Sequence, residues 1–160
     1  MITRRTLLGT AAIAALSPKL ARGDEALLAA MEASEVIYVT PIRSNGAESR
    51  CQAEVWFANV GTTMYVVSAA DAWRSQAIRQ GLTNSRIWVG DLGVWGDING
   101  RYKSLPMVNA VASIETDPIA QARALDAMGD KYPLAWVLWG PRFRKGLSDG
   151  SRVMLRYRPA

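Results

Sequence analysis

The chain has 160 residues, of which 49% are apolar and 21% charged, a balance typical of one globular domain and not of a disordered chain. The formal charge is +5, but four of the 19 basic residues and none of the 14 acidic ones lie in the first 23 positions, so residues 24–160 carry a net charge of only +1. This near-neutral body argues against a nucleic-acid partner, which would require a basic face.

The sequence contains no histidine, which excludes Ser-His-Asp and Cys-His catalysis, histidine-ligated zinc and histidine-ligated haem. The one cysteine, Cys51, cannot form a disulfide within the chain. We expect Cys51 to be a small, half-buried strand residue, with a reactive thiol as the alternative.

The first 23 residues have the layout of an export signal. Arg4 and Arg5 precede an apolar run that ends at Leu16, which is too short to span a bilayer and therefore predicts no stable membrane anchor. The arginine pair resembles the signal read by the twin-arginine export machinery, a route often used for folded, cofactor-bearing proteins, and an ordinary secretory signal is the alternative. We expect cleavage near Gly23 and a periplasmic or otherwise exported mature protein.

The first elements after this segment are predicted from periodicity and turn residues. Residues 24–34 form a short amphipathic helix and residues 35–43 a β-strand. Residues 44–46 (Ser-Asn-Gly) form a turn. Residues 49–59 and 63–69 alternate apolar and polar side chains on either side of a glycine, which predicts a hairpin.

A helix is predicted over residues 72–80, directly after the hairpin. We expect Asp71 to cap its start and three apolar side chains, Trp73, Ala77 and Ile78, to face the core.

The second half of the chain continues with strands and helices. A strand over residues 85–95 carries two glycines that indicate a bulge or bend, and another strand covers 108–115. Asp117, followed by a proline, begins a helix. Residues 132–148 predict a short helical or irregular segment, and residues 152–158 a closing strand. About six mostly antiparallel strands and three helices favour an α+β, mainly β fold with a closed or partly closed barrel.

The order of these elements across about residues 35–116, together with four short segments, resembles the split-barrel flavin-binding superfamily. That superfamily includes pyridoxamine phosphate oxidase-like proteins and deazaflavin-dependent nitroreductases. The matching segments are EVWF (54–57), MYVVS (64–68), RIWV (86–89) and the closing LRYRP (155–159).

The resemblance implies a six-stranded antiparallel split β-barrel, a homodimer, and FMN or a deazaflavin as cofactor. Matching the family's cofactor-binding positions one by one to this sequence gives the candidates Arg50, Gln52, Ser68, Arg74 and Ser75. Two of these, Arg50 and Gln52, would lie on the second strand, whereas Ser68 ends the third strand and Arg74 lies on the helix that follows it. A guanidinium near the start of a helix suits a phosphate group, which agrees with this assignment.

The chain departs from the family pattern at Trp73, where the family often has a serine. We expect Trp73 and Trp88 to pack in the core, with a wall against a planar ring as the alternative. No catalytic residue is predicted, since a flavin itself carries the hydride.

Three functions remain open from the sequence. The first is an exported flavin- or deazaflavin-dependent oxidoreductase that acts on a small molecule. The second is a non-enzymatic binding module on the same barrel, for a small molecule or for a haem held by tyrosine, methionine or Cys51. The third is an interaction protein of the cell envelope, with exposed tryptophans around Trp136 and Trp139 as the partner surface.

Overall fold

The computed structural model describes residues 18–160, so the predicted export signal lies largely outside the described residues. The helices are α1 Pro18–Ala33, α2 Trp73–Arg79, α3 Pro118–Lys131 and α4 Pro133–Asp149. The strands are β1 Val36–Pro41, β2 Ala53–Trp56, β3 Ala58–Val60, β4 Thr63–Ala69, β5 Asn84–Val89, β6 Met107–Glu115 and β7 Arg152–Pro159. Within this part of the chain, no helix is both long and apolar enough to cross a membrane.

The strands form one antiparallel sheet in the order β2-β1-β5-β6-β7-β4-β3. The two outermost strands, β2 and β3, are separated in the sequence only by Phe57, so the sheet curls until its edges meet. The predicted α+β fold with an antiparallel split barrel is therefore confirmed. It has seven strands instead of six because the predicted strand over residues 49–59 is divided at Phe57.

The barrel is incompletely closed along a seam between β2 and β4. β2 pairs with β1, whereas β3 pairs with β4 only along Thr63–Tyr65. From Val66 onward, the edge of β4 that faces β2 pairs with no strand of the described residues. The predicted hairpin thus exists only between β3 and β4, and the strand before it opens away from its neighbour.

Alternation of side chains along the strands produces one interior core and two outer ones. The interior is filled from every long strand, by residues such as Ile37, Met64, Ile87, Leu155 and Tyr157. Helices α3 and α4 cover one outer face, and the segment between β5 and β6 covers another. Residues of α1 and α2 also pack against the interior core.

Helix α2 begins later than predicted and is not capped by Asp71. Its N-cap is Ala72, with no side-chain hydrogen bond, which places the exposed Asp71 one residue too early to reach the helix. Ala77 is buried and Ile78 packs on the interior core, as predicted. Trp73 is 42% exposed, so its predicted core position is wrong.

Two other elements differ from the sequence prediction. Strand β5 ends at Val89 instead of residue 95, and the two glycines that follow it, Gly90 and Gly93, both have positive φ, of +157° and +89°. The segment predicted over residues 132–148 is the continuous helix α4 from Pro133 onward, with Tyr132 as its N-cap. Pro141 is tolerated in it because the residue is exposed, so water can solvate the carbonyl that loses its partner.

Cys51 is exposed and precedes β2, so the predicted half-buried strand position is wrong. Its backbone N–H donates to Ser49 Oγ at 3.1 Å, which holds residues 49–51 in a local turn instead of a ladder.

The start of α3 offers a direct test of capping. Asp117 Oδ1 accepts a hydrogen bond from the Ile119 N–H at 3.0 Å, as the sequence predicted. We expect Asp117→Ala to lower the free energy of unfolding by about 1 kcal/mol. Asp71→Ala, at the residue that caps nothing, is the matched control and should change it by less than about 0.5 kcal/mol. Urea unfolding of both variants measures the difference, and equal effects would contradict the assignment.

Candidate functional site

Three of the five predicted cofactor-binding residues meet where β4 ends and α2 begins. Arg74 Nε donates to Ser68 Oγ at 3.0 Å. Ser75 Oγ lies 3.3 Å from Ser68 Oγ and donates to the Ala69 carbonyl at 2.8 Å. The arrangement is local, since the sharp turn after β4 brings residues only six and seven positions apart into contact. We call Ser68, Arg74 and Ser75 the arginine cradle.

The Ser68 hydroxyl holds Arg74 in place, and Ser75 acts on Arg74 only through Ser68. Ser68 and Ser75 are 1% and 0% exposed, so the hydroxyl that accepts from Arg74 Nε and the hydroxyl beside it are both buried. The terminal nitrogens of Arg74, Nη1 and Nη2, make no hydrogen bond or ion pair with the described residues. They can therefore receive an anion such as a phosphate. Helix α2 has only seven residues, so the guanidinium, and not the helix end, supplies the positive charge.

Arg50 and Gln52 do not join the arginine cradle. Both precede β2, so they lie on no strand. Gln52 Nε2 donates to Tyr102 Oη at 3.1 Å, in the segment between β5 and β6, and Arg50 is exposed. Both residues were assigned to the site because they fall on the strand predicted over residues 49–59. In the structure, β2 begins only at Ala53.

Gln52 instead lines a polar cavity of about 440 Å³ together with Asn99, Tyr102 and Lys103. The charges beside this cavity are already paired, since Glu48 accepts from Arg86 at 2.8 Å and from Lys103 at 3.1 Å. Burial would raise the pKa of Glu48, but these two hydrogen bonds outweigh it and lower that pKa.

A second cavity, of about 300 Å³, lies at the seam of the barrel. Its wall includes Val55, Trp56, Val66, Trp139, Phe143 and Arg152. It adjoins the arginine cradle, because Ser68 directly follows the cavity-lining strand residues and Ala69 pairs with Arg152. This seam cavity was not predicted from the sequence. The signal for it was the spacing of Trp139 and Phe143, which places two aromatic rings on one face of a helix.

The rings around the seam cavity pack in specific geometries. Trp56 stacks on Tyr132, with ring centroids 5.0 Å apart, and meets Trp139 edge-on at 6.3 Å. Trp139 in turn contacts Phe143 at 5.8 Å. Trp56 is 38% exposed, so part of this side chain is accessible to a ligand.

The two tryptophans singled out from the sequence take different positions. Trp88 is buried against Tyr102 in a T-shaped pair at 4.8 Å, so its predicted core position is confirmed. The exposed Trp73 lies beside Arg74 in the chain and remains available as a wall for a planar ring. In the part of the chain that the structure covers, no group of His, Cys, Asp or Glu side chains could hold a metal ion.

Comparison with solved structures identifies split-barrel proteins. A Listeria innocua protein described as a candidate pyridoxamine 5'-phosphate oxidase aligns with a TM-score of 0.53 and 16% identity, covering 85% of this chain and 92% of its own. HutZ, a heme storage protein from Vibrio cholerae, aligns with a TM-score of 0.53 and 14% identity, covering 91% and 90%. Campylobacter jejuni ChuZ aligns with a TM-score of 0.58 and 9% identity, covering 87% and 53%.

These neighbours are split-barrel proteins like pyridoxamine phosphate oxidase, and identities this low establish the shared fold alone. No protein-family model matches the sequence, and no curated protein matches it either.

Proposed function

We propose that this protein binds FMN or a deazaflavin through the arginine cradle and acts as an oxidoreductase on a small molecule. The observation that carries the proposal is the guanidinium of Arg74, fixed at Nε by the buried Ser68 while Nη1 and Nη2 have no partner among the described residues. A guanidinium held in this way is suited to bidentate recognition of a phosphate.

The residues of this site fit a phosphate-bearing cofactor. Arg74 would bind the phosphate, Ser68 and Ser75 would keep its guanidinium oriented, and Trp73 would exclude water from one side. The bound flavin would supply hydride transfer, while the protein positions it. Arg50 and Gln52 have no part in this site as the single chain presents it.

A non-enzymatic binding module is the second candidate, favoured by neighbours such as HutZ that store haem. Here a haem ligand would have to be a tyrosine, a methionine or the exposed Cys51. The arginine cradle fits a phosphate better than it fits an iron atom, so we rank this function second.

Two further properties belong to the same proposal. We propose that the chain is exported through its twin-arginine segment, so that replacing Arg4 and Arg5 by lysines would keep it in the cytoplasm.

We also propose a homodimer, since α4 exposes Leu134, Val137 and Leu138, which are 90%, 81% and 54% accessible. Analytical ultracentrifugation showing only monomer would remove this part of the proposal.

The cofactor is tested by absorbance of the full chain purified from the cytoplasm. The full chain is needed because α1 begins at Pro18, inside the segment that signal cleavage would remove. We expect a flavin or deazaflavin band, and Arg74→Ala should weaken cofactor binding by about tenfold or more. Arg79→Ala, on the same helix but bonded to the Ala70 carbonyl, is the control and should leave binding unchanged.

A Soret band in place of a flavin band would favour the haem-binding function. A colourless protein that binds no added FMN or deazaflavin would overturn the proposal, as would equal weakening by the two arginine variants.

A further inference from the structure

Arg152 is a cationic group without a countercharge inside the seam cavity. Its guanidinium makes no ion pair or hydrogen bond with the described residues, and none of their acidic side chains lines the cavity. Its guanidinium carbon lies 5.3 Å from the centroid of the Phe143 ring, which leaves the in-plane N–H groups unused. A cation in this setting favours a ligand that carries a negative charge.

The position of Arg152 is fixed by the helix beneath it. A Cβ atom at Gly146 would lie only 2.6 Å from Arg152 Cδ, so the arginine stem passes directly over this buried glycine of α4. The stem is thus held between α4 and the start of β7. The stem of Arg152 packs on Gly146 and its guanidinium lies over the Phe143 ring. An arginine that is already held in this way loses little conformational entropy when it binds an anion.

The remaining wall of the seam cavity is aromatic and aliphatic. Trp56, Trp139 and Phe143 supply ring faces and edges, and Val55 and Val66 line the part formed by the two separated strands. A volume of about 300 Å³ is at the lower end of the range for small-molecule sites, roughly 300–1,000 Å³. Such walls favour a flat, apolar ligand over a sugar or a peptide.

We propose that the seam cavity binds a small planar aromatic carboxylate, whose ring packs against Trp56 and Trp139 and whose carboxylate pairs with Arg152. This site is distinct from the arginine cradle and does not require the cofactor. If the cofactor is present, the aromatic acid occupies the neighbouring position and belongs to the substrate class of the protein.

Calorimetric titration of the full chain with cinnamate and its neutral twin cinnamamide tests the proposal. The two probes share the ring and the chain, so their difference reports the carboxylate. We expect cinnamate to bind about tenfold more tightly than the amide. Arg152→Met, which keeps an apolar stem over Gly146, should abolish this preference while the amide binds as before. Trp139→Ala should weaken both probes.

The matched control is Arg142→Met. Arg142 lies 5.1 Å from the Trp139 ring centroid but is exposed and outside the cavity wall, so both probes should bind this variant as they bind the wild type. Equal affinity for the two probes, an acid preference that survives Arg152→Met, or no binding of either probe would overturn the proposal. Competitive displacement of cinnamate by FMN would show that the seam cavity and the arginine cradle are not separate sites. Binding of cinnamate without binding of a flavin would contradict the proposed cofactor and leave the seam cavity proposal standing.

Discussion

Replacing Tyr132 by phenylalanine is expected to lower the free energy of unfolding by about 3 kcal/mol, because its hydroxyl accepts from one buried backbone N–H and donates its single proton to a neighbouring carbonyl. Tyr132 Oη accepts from the Phe57 N–H at 3.1 Å and lies 2.7 Å from the Phe57 carbonyl and 2.5 Å from the Glu35 carbonyl. Burial raises the pKa of Tyr132 far above its usual range, so the hydroxyl stays protonated and can donate.

The expected effect is large because Tyr132 joins the strand break at Phe57 to the residue that precedes β1. Phe57 is the break between β2 and β3, Glu35 precedes β1, and Tyr132 itself lies between α3 and α4. Phenylalanine would fill the same space and leave the backbone groups unsatisfied.

The matched control is Tyr65→Phe. Tyr65 is also buried, but its hydroxyl makes no hydrogen bond within the described part of the chain, so the change should cost less than about 0.5 kcal/mol. Urea unfolding measures both variants. A loss of less than about 1 kcal/mol for Tyr132→Phe would show that water reaches the backbone groups beside residue 132 and replaces the hydroxyl.

The barrel could be predicted from the sequence because the alternation of apolar and polar residues matches the inward and outward positions along most strands. In β7, Leu155 and Tyr157 alternate inward as predicted, and Asp117 caps α3. The division of one predicted strand at Phe57 could not be predicted, since alternation continues through that residue. What divides it is the change of pairing partner from β1 to β4, a property of the closed sheet.

In the candidate site, too, groups of residues close together in the sequence could be predicted, whereas groups far apart in the sequence could not. Ser68, Arg74 and Ser75 lie within eight residues of each other, so a turn is enough to assemble them. The seam cavity combines residues about 100 positions apart, on β2 and β7. Periodicity assigns each of those residues to a face but does not say which faces meet, which is why the cavity appeared only in the structure.

Lys131 is a half-buried charged group whose pKa shift makes the stability depend on pH. Its Nζ donates to the Met31 carbonyl at the end of α1, at 2.8 Å, and lies 3.5 Å from the centroid of the Phe57 ring. Burial lowers the pKa of Lys131 from 10.5 to about 8, and the charge of Glu35 opposes the shift only in part.

The carboxylates that share cavities with Lys131 belong to Glu32, Asp130 and Glu35. Burial raises the pKa of Tyr132, so this neighbour in the chain stays protonated where Lys131 loses its proton. The pKa of Lys131 is lowered from 10.5 to about 8, and the charge of this residue therefore differs between the folded and the unfolded chain in this range.

We expect the wild type to gain stability relative to Lys131→Met as the pH rises from about 8 to about 10. In this window the unfolded chain binds a proton at Lys131 that the folded chain has released, so raising the pH favours folding. Below pH 8 the lysine is charged in both states, and burial of that charge opposes folding in full. Because the side chain is partly exposed, the gain should be about 1–2 kcal/mol.

Urea unfolding of both proteins at the two ends of the window measures this gain, and groups common to both cancel in the difference. Lys145→Met, at an exposed lysine of α4, is the matched control and should show no such trend. A pH-independent difference between the wild type and Lys131→Met would mean that the ammonium keeps its water in the folded state. The Met31 carbonyl and the Phe57 ring would then stabilise the charge about as well as solvent does.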